Sequence, residues 1–142
     1  MEAETMRDDN CIFCKLANGV FPTNTIYEDE EFRVLLDLEP AAKEHALILP
    51  KEHYKNLYEL PDDTAGKVMK LAKKMAIRMT DRLQADGFNL VQNNNEIAGQ
   101  TVVHFHLHLI PRYNDDGQKI AWEKGSPSPE ELTAIKDTIV GE

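Results

Sequence analysis

Three histidines alternate with apolar residues in segment 104–108, which reads His-Phe-His-Leu-His. Successive side chains of a β-strand point to opposite faces, so a strand here places His104, His106 and His108 on one face, about 7 Å apart. A neutral imidazole can bind a metal, attack an electrophile or exchange a proton. The segment therefore indicates either a zinc site made from two or three of these histidines, or nucleophilic and acid–base catalysis.

The loop before these histidines is rich in neutral hydrogen-bond donors. Residues 93–101 contain three consecutive asparagines, beginning at Asn93, and end with Gly99, Gln100 and Thr101. Amide groups hold phosphate oxygens without any net positive charge, and a glycine lets the backbone approach a ligand closely. An ordinary polar hairpin loop has a similar composition. Its position directly before the histidines favours a phosphate-binding loop.

Cys11 and Cys14 are the only two cysteines, and they form a Cys-x-x-Cys pair. A thioredoxin-like redox motif follows a strand in a βαβ unit, and nothing strand-like precedes Cys11. Two thiols without a chemical role remain an alternative. The other alternative is tetrahedral zinc, which requires two further ligands.

Apolar patterns predict the elements that position these residues. Strands are expected at residues 25–28, 32–37, 46–49, 88–92 and 101–110, with Pro111 ending the last strand. Because strands and helices are segregated along the chain, the pattern favours an α+β fold with a largely antiparallel sheet.

Three helices are predicted. The longest lies between Pro61 and Asp86, where apolar residues recur every three or four positions, and Gly87 stands at its expected stop. A C-terminal helix begins at the capping box of Ser128 and Glu131. Its apolar stripe consists of Leu132, Ile135 and Ile139. A short helix is expected over residues 11–18.

The composition limits the classes of protein to consider. The 142 residues carry a net charge of −9 and are 42% hydrophobic, which suits a single domain over residues 1–142. An acidic chain is a poor candidate for sequence-independent nucleic-acid binding. No apolar run approaches the roughly 20 residues of a membrane span. The polar N-terminus is unlike a signal peptide, so a cytoplasmic protein is expected, with flexible residues 1–10 and a variable segment 114–142.

The chain resembles the histidine triad (HIT) superfamily, in its zinc-binding, bacterial-type, Hint-like branch. The histidine pattern followed by two apolar residues, at positions 104–110, is similar to the signature of that family. Segments 37–40 and 45–53 resemble its second block, and Asn93 with residues 99–101 resembles the loop before the triad. The resemblance extends from about Cys11 to Tyr113.

The resemblance implies a fold and an assembly. Members of the family have a five-stranded antiparallel sheet with two main helices, and two copies join into a homodimer with a continuous ten-stranded sheet. Met69, Met75 and Met79 of the long helix are compatible with an interface and equally with a core face.

The resemblance also implies an activity. Hint-like enzymes cleave purine nucleoside phosphoramidates and related nucleotide conjugates at the α-phosphorus, through a nucleotidyl-histidine, and release a nucleoside monophosphate. By position, His106 matches the nucleophile, and the carbonyl of His104 matches the group that fixes its tautomer. His108 and His45 match the residues that hold the phosphate. No catalytic metal is required.

The substrate contacts implied by the resemblance surround these histidines. Asp37 matches the residue that binds the ribose hydroxyls, and Asn93, Gly99, Gln100 and Thr101 match phosphate and leaving-group contacts. The apolar slot for the base corresponds to Ile12, Phe13, Leu16, Phe21 and Leu35. Many bacterial-type relatives also bind a structural zinc ion, whose ligands match Cys11, Cys14, His53 and His104.

Several alternatives remain open at this point. The chain is also compatible with a dinucleoside polyphosphate hydrolase, a nucleotide-binding regulatory protein with weak catalysis, or a zinc hydrolase whose triad binds the metal. The leaving group of the substrate is not defined by the sequence. Trp122, the only tryptophan, is compatible with either substrate selection or packing.

Overall fold

A five-stranded antiparallel sheet forms the centre of the fold. The computed structural model describes residues 8–38, 40 and 44–141. The strands are β1 Thr25–Glu28, β2 Phe32–Leu36, β3 Ala46–Pro50, β4 Gly87–Val91 and β5 Leu107–Arg112. Their order in the sheet is β1-β2-β3-β5-β4, and every neighbouring pair is antiparallel. The α+β prediction with a five-stranded antiparallel sheet is therefore confirmed.

Three α-helices accompany the sheet: α1 Ile12–Ala17, α2 Asp62–Leu83 and α3 Pro129–Val140. Helix α2 buries a stripe spaced at three and four residues, consisting of Val68, Leu71, Ala72, Met75 and Met79. This stripe packs against one face of the sheet, including Val34, Ile48 and Leu109. Each Val, Leu or Met side chain of this stripe stabilises the fold by about 1.5–3 kcal/mol when it is removed from water. Among the described residues, no helix is both long and apolar enough to cross a membrane.

The methionines of α2 have two different environments. Met75 and Met79 belong to the buried core, whereas Met69 is 56% exposed. Two of the three methionines are thus core residues, and only Met69 remains available to an interface.

The end of α2 differs from the prediction. Gly87 was expected to stop the helix, but the helix ends at Leu83 and Gly87 begins β4. Gln84 takes the left-handed cap position with φ 55°, and its N–H donates to the carbonyl of Thr80. The Gln84 side chain also donates to the carbonyl of Asp81 at 2.7 Å. These bonds offset the strain of a non-glycine residue in this conformation.

The last strand is shorter than predicted at its start and longer at its end. Pairing with β3 reaches only from Ala46↔Leu109 to Ile48↔Leu107, so residues 101–106 lie outside the sheet. The N–H of Phe105 donates instead to the carbonyl of Tyr54 at 2.6 Å. Pro111 lies inside β5, opposite Phe88 of β4 and beyond the last β3 pair. A proline is tolerated where only one side of a strand is paired.

The alternation of side chains at the histidines is nevertheless retained. Phe105, Leu107 and Leu109 pack in the core beneath α2. Helix α1 covers the other face of the sheet, where Ala17, Leu35, Leu47 and Leu49 form a second buried cluster. The residues that carry the chemistry therefore lie on the α1 face.

The two ends of the chain differ in how they are held. Of residues 1–10, predicted to be flexible, residues 1–7 lie outside the described part of the chain. Before α1, the N–H of Cys11 donates to the carbonyl of Asp8 at 3.0 Å. At the other end, the predicted capping box is confirmed: Ser128 and Glu131 cap each other reciprocally at the start of α3.

Candidate active site and metal centre

His45, His108 and Asp37 meet at the edge where β2, β3 and β5 adjoin. His45 directly precedes β3, and its carbonyl accepts a hydrogen bond from the N–H of Asp37 at 2.8 Å. The pairing Leu47↔His108 brings His108 alongside, so that His45 Nε2 and His108 Nδ1 lie 2.8 Å apart. The Asp37 carboxylate lies 3.6 Å from His45 Nε2. A carboxylate and two imidazoles thus form one polar group.

His106 is held in one tautomer by the backbone. Its Nδ1 lies 2.7 Å from the carbonyl oxygen of His104. A carbonyl only accepts hydrogen bonds, so Nδ1 donates, and the neutral ring carries its lone pair on Nε2. The His106 ring contacts the His108 ring edge-on, with the ring centroids 4.9 Å apart. The bare nitrogen of a neutral imidazole is a nucleophile.

Burial keeps the histidines of this group neutral. Desolvation lowers the pKa of His106 and of His45 below the usual range, while the charge of Asp37 partly opposes the shift. Desolvation, together with His106 and His45, lowers the pKa of His108 to about 4. Neutral imidazoles at physiological pH retain the lone pairs that nucleophilic attack requires.

A cleft is lined mainly by apolar residues, including Leu36 and Leu38, which flank Asp37 in the sequence. It has a volume of about 170 Å³, and its lining includes Leu16, Leu35 and Leu36. Of the five residues expected in the base slot, Leu16 and Leu35 line this cleft. Phe13 instead contacts the His106 ring edge-on, at 4.9 Å between centroids. Ile12 and Phe21 are exposed and are not part of the cleft lining.

The loop at residues 93–101 is shaped from inside by Gln100. Its Oε1 accepts from the N–H of Asn95 at 2.7 Å. Its Nε2 donates to the carbonyls of Lys55 and Val102 at 2.6 and 3.0 Å. The buried Gln100 side chain therefore braces the loop, whereas Thr101 is exposed.

Asn93 and Gly99 form the turn at the other side of this loop. Gly99 has φ +100°, and a Cβ atom there would lie 3.3 Å from the Asn93 side chain. Asn93 Nδ2 lies 3.4 Å from the Gly99 carbonyl oxygen. The backbone angle favours glycine here, and a larger residue would also have to displace the Asn93 side chain slightly.

We expect Gln100→Ala to destabilise the protein by about 2 kcal/mol, because two carbonyls and one N–H lose their partners in a buried place. Denaturant unfolding measures this change. Thr101→Ala is the matched control, since this neighbouring side chain is exposed and its loss should leave the free energy of unfolding unchanged within about 0.5 kcal/mol. Equal stability of the two variants would contradict the bracing role of Gln100.

Sequence reasoning missed the residues that hold this loop from a distance. Asn56 donates to Asn95 Oδ1 at 3.1 Å, and the N–H of Leu57 donates to Asn94 Oδ1 at 2.8 Å. The run of asparagines at 93–95 was a visible signal. Its partners lie about 40 positions earlier in the chain, and only the fold brings them together.

Cys11, Cys14, His53 and His104 form a second cluster behind His106. Their ligand atoms all lie within 4.8 Å of one another. Both cysteine sulfurs lie 3.4 Å from His104 Nδ1, and Cys14 Sγ lies 3.3 Å from His53 Nδ1. Asn18, which sequence reasoning also missed, anchors this end of α1 by donating to the carbonyls of Cys14 and Lys51.

This donor set fits zinc. Tetrahedral zinc with ordinary bond lengths separates sulfur and nitrogen ligands by about 3.5 Å, close to the observed spacings. His104 Nε2 donates to the Pro50 carbonyl at 2.9 Å, so the lone pair of Nδ1 faces the two sulfurs. Burial raises the pKa of Cys14 to about 11, and a cation in the cluster would favour the thiolate. Four protein ligands leave no position for a water molecule, as in structural zinc sites.

Asp37, His45 and His108 also have ligand atoms within 4.8 Å of one another. His106 belongs to neither of the two groups found among the described residues. A zinc hydrolase that used the whole triad as ligands would need His104 and His106 on one metal. The two rings instead contact different residues: His104 faces the cysteines, and His106 faces His108.

Comparisons with known proteins agree with this arrangement. A family model described as the HIT domain matches residues 18–115. Adenosine 5′-monophosphoramidase hnt1 of Schizosaccharomyces pombe is 37% identical over 131 residues, which cover 92% of this chain and 96% of that protein. The crystal structure of SMU.412c from Streptococcus mutans superposes with a TM-score of 0.90 at 34% identity, covering 98% of this chain and 88% of that one.

A Zn-bound histidine triad family protein from Mycobacterium smegmatis is also similar, with a TM-score of 0.74 and 35% identity over 82% of this chain and 84% of that one. The antiparallel sheet and the paired histidine clusters define a histidine triad protein. The family-model match and these relatives establish that the chain belongs to the HIT family.

Proposed function

We propose that this HIT protein hydrolyses purine nucleoside 5′-phosphoramidates and related nucleotide conjugates at the α-phosphorus, through a covalent intermediate on His106. The activity named for the S. pombe relative supports the class of enzyme, a HIT-type nucleotide hydrolase. The observation that carries the proposal is the hydrogen bond from His106 Nδ1 to the His104 carbonyl, because it leaves the other ring nitrogen bare.

In the first step, the lone pair of His106 Nε2 attacks phosphorus, a P–N bond to the enzyme forms, and the bond to the amine leaving group breaks. The amine departs with a proton supplied by water or by the pair of His45 and His108. The imidazole becomes positively charged, and the His104 carbonyl stabilises that charge. In the second step, water attacks phosphorus and expels neutral His106, which gives the nucleoside monophosphate.

The neighbouring groups fit the rest of a nucleotide. The base occupies the apolar cleft beside Leu16 and Leu35, and the ribose hydroxyls bind the Asp37 carboxylate. The phosphate lies against His45 and His108. Asn93, Gly99 and Thr101 border the leaving group, while Gln100 supports them from within the loop.

We expect Asp37→Ala to lower kcat/KM for an adenosine substrate by about 10- to 100-fold more than for the 2′-deoxyadenosine substrate. The Asp37 carboxylate can favour the ribose substrate only by accepting a hydrogen bond from its 2′-hydroxyl, so the variant loses the preference for ribose over 2′-deoxyribose. Steady-state kinetics on the two phosphoramidates measures the ratio. The 2′-deoxy substrate is the internal control. Asp37 also contacts His45, and the effect of losing that contact should be the same for both substrates. Equal losses for both substrates would exclude ribose recognition by Asp37.

Zinc in the Cys11–Cys14–His53–His104 cluster is proposed as structural. It would join α1 to the residues at the end of β3 and before β5. The zinc-bound relative and the fit of the donor set support this assignment. No step of the hydrolysis uses the ion.

A homodimer in the cytoplasm is also proposed. Strand β4 stands last in the sheet order, so its outer edge has no partner strand among the described residues. Two β4 edges from two copies would complete a ten-stranded sheet, near the exposed Leu90. The two free cysteines suit a reducing compartment.

Isotope transfer from water tests the site of attack. Adenylyl sulfate contains a phosphorus–oxygen–sulfur bridge, and it is hydrolysed here in ¹⁸O-labelled water. Attack on the α-phosphorus transfers the label to AMP and leaves the released sulfate unlabelled, as mass spectrometry detects. Labelled sulfate would show attack on sulfur, and absence of AMP from both this substrate and adenosine 5′-phosphoramidate would contradict the proposed activity.

A further inference from the structure

Asn95 has a backbone conformation that is typical of glycine. Its φ and ψ angles are 74° and 157°, in a region of the backbone map where almost only glycine is found. The residue stands directly before the short 3₁₀ turn Glu96–Ala98, in the loop of residues 93–101. A residue with a side chain keeps such a conformation only when its surroundings fix it.

Three hydrogen bonds within the loop use the backbone of Asn95. Its N–H donates to Gln100 Oε1 at 2.7 Å. Its carbonyl accepts from the N–H groups of Ala98 and Gln100, each at 3.1 Å. These bonds close the loop on itself. Among the described residues, the bond that attaches Asn95 to a distant segment of the chain is made by its side chain.

Asn56 supplies this bond. Its Nδ2 donates to Asn95 Oδ1 at 3.1 Å, across 39 positions of sequence. The other end of the Asn56 amide is also fixed, because Oδ1 accepts from the N–H of Tyr58 at 3.1 Å and caps the 3₁₀ turn Leu57–Glu59. Asn56 is only 9% exposed. A buried amide with both ends engaged therefore holds Asn95 in one place.

A chain of hydrogen bonds connects the Asn95 backbone to the candidate nucleophile. Gln100, whose side chain accepts from Asn95, donates through Nε2 to the Val102 carbonyl at 3.0 Å. The same carbonyl accepts from the N–H of His104 at 2.9 Å. The His104 carbonyl in turn accepts from His106 Nδ1 at 2.7 Å, which sets the tautomer that the proposed attack requires.

The two asparagines also border the side of the site where the leaving group is proposed to lie. A cavity of about 520 Å³ opens beside the loop, and its lining includes Asn56, Asn95 and Thr101. A displacement of Asn95 would therefore move Thr101 and the bonds that lead to His104 together. Misplacing reacting groups by about 1 Å can lower a rate about 100-fold.

We propose that Asn56 is a positioning residue of the hydrolase, because its bond to Asn95 maintains the glycine-like backbone that orders the loop. This role rests on the proposed function and goes beyond it, since neither asparagine 56 nor 95 takes part in the proposed chemical steps. The bond offsets backbone strain at position 95. A glycine at that position has no such strain, so it should make Asn56 dispensable.

A double-mutant cycle tests the proposal. Asn56→Asp is nearly isosteric and still accepts from the N–H of Tyr58, but it faces Asn95 Oδ1 with an oxygen that has no proton to donate. We expect it to lower kcat for adenosine 5′-phosphoramidate about 10- to 100-fold, with the Kd for AMP within about twofold of wild type. Asn95→Gly should keep kcat within about threefold of wild type. Adding Asn56→Asp to Asn95→Gly should lower kcat by no more than about threefold further.

Two controls separate this role from effects of charge and of folding. Ile97→Asp places the same negative charge on the loop, at a side chain that is 98% exposed. It should leave kcat within about twofold of wild type. Amide hydrogen exchange measures the loop without any assay of turnover. Asn56→Asp should accelerate exchange at the N–H groups of Ala98 and Gln100 at least about tenfold, and far less when position 95 is glycine.

The contrary outcomes are distinguishable. Equal losses of kcat from Asn56→Asp in both backgrounds would overturn the proposal, because Asn56 would then act independently of the backbone at position 95. Wild-type kcat in Asn56→Asp would overturn it, as would a loss in Asn95→Gly as large as that in Asn56→Asp. Absence of turnover in the wild-type protein would instead overturn the hydrolase itself, and the exchange rates would still decide whether Asn56 holds the loop.

Discussion

His106→Ala is expected to lower the turnover of adenosine 5′-phosphoramidate by about 10⁴-fold or more, the scale seen when a covalent nucleophile is removed. The reason is that His106 carries the bare Nε2 beside His108, which we propose holds the phosphate together with His45. The neighbouring His104 directs its ring to the cysteines. Release of AMP, followed by chromatography under single-turnover conditions, measures the change.

The control for this variant separates chemistry from folding. Phe13 packs on the His106 ring, so the alanine leaves a space in a buried region. His106→Gln fills more of that space but has no imidazole lone pair, and it should be as inactive as the alanine variant. Both should still bind AMP and unfold cooperatively. Residual turnover within about tenfold of wild type in either variant would remove His106 from the role of nucleophile.

Cys14→Ser is expected to abolish zinc binding and to lower the thermal midpoint by roughly 10 °C or more, because metal binding free energy at such a site is folding free energy. Metal analysis of the purified protein and calorimetry measure the two effects. Turnover well below the unfolding temperature should fall far less than in His106→Ala, since the proposed zinc ion is structural and takes part in no step of the proposed reaction.

Matched variants distinguish the two candidate metal clusters. His53→Ala should lose the metal as Cys14→Ser does, whereas His108→Ala should retain it, because His108 belongs only to the group with Asp37 and His45. Loss of metal in His108→Ala and its retention in His53→Ala would favour a triad-bound ion. A chelated protein that stays fully folded yet loses all turnover would contradict a structural role for zinc.

Local patterns in the sequence predicted most of the elements. The three- and four-residue spacing of α2, the capping box of α3 and the alternation of Phe105 with the histidines are all properties of adjacent residues, and the structure retains them. These signals depend on which face of one element is apolar, so they need no knowledge of the partner element.

The errors arose where the outcome depends on distant residues. The first half of the predicted strand at 101–110 is not a strand, because the pairing with β3 extends no further than Leu107. The N–H of Phe105 donates to the carbonyl of Tyr54 instead. Helix α2 ends at Leu83 with Gln84 as its cap, because Asp86 already donates its N–H to the carbonyl of Arg112, and Gly87 begins β4. Neither competing partner can be identified from the local sequence.

In the candidate site, too, the local sequence predicted the residues but not their hydrogen-bond partners. The motif identified His106, but its tautomer follows from the His104 carbonyl, and the orientation of His104 follows from the Pro50 carbonyl, 54 positions earlier. Likewise, Gln100 matched a substrate contact by position, and the structure engages its side chain within the loop. Hydrogen-bond partners of this kind appear only when the fold is known.

Intact-protein mass spectrometry after rapid acid quench tests the covalent mechanism most directly. Wild-type protein and His106→Ala are mixed with adenosine 5′-phosphoramidate and quenched over a series of times that begins before the first turnover. We expect an adenylyl adduct on wild-type protein, mapped to His106, that appears before AMP and is absent from His106→Ala. An adduct on another residue, or AMP release by His106→Ala at the wild-type rate, would contradict nucleophilic attack by His106.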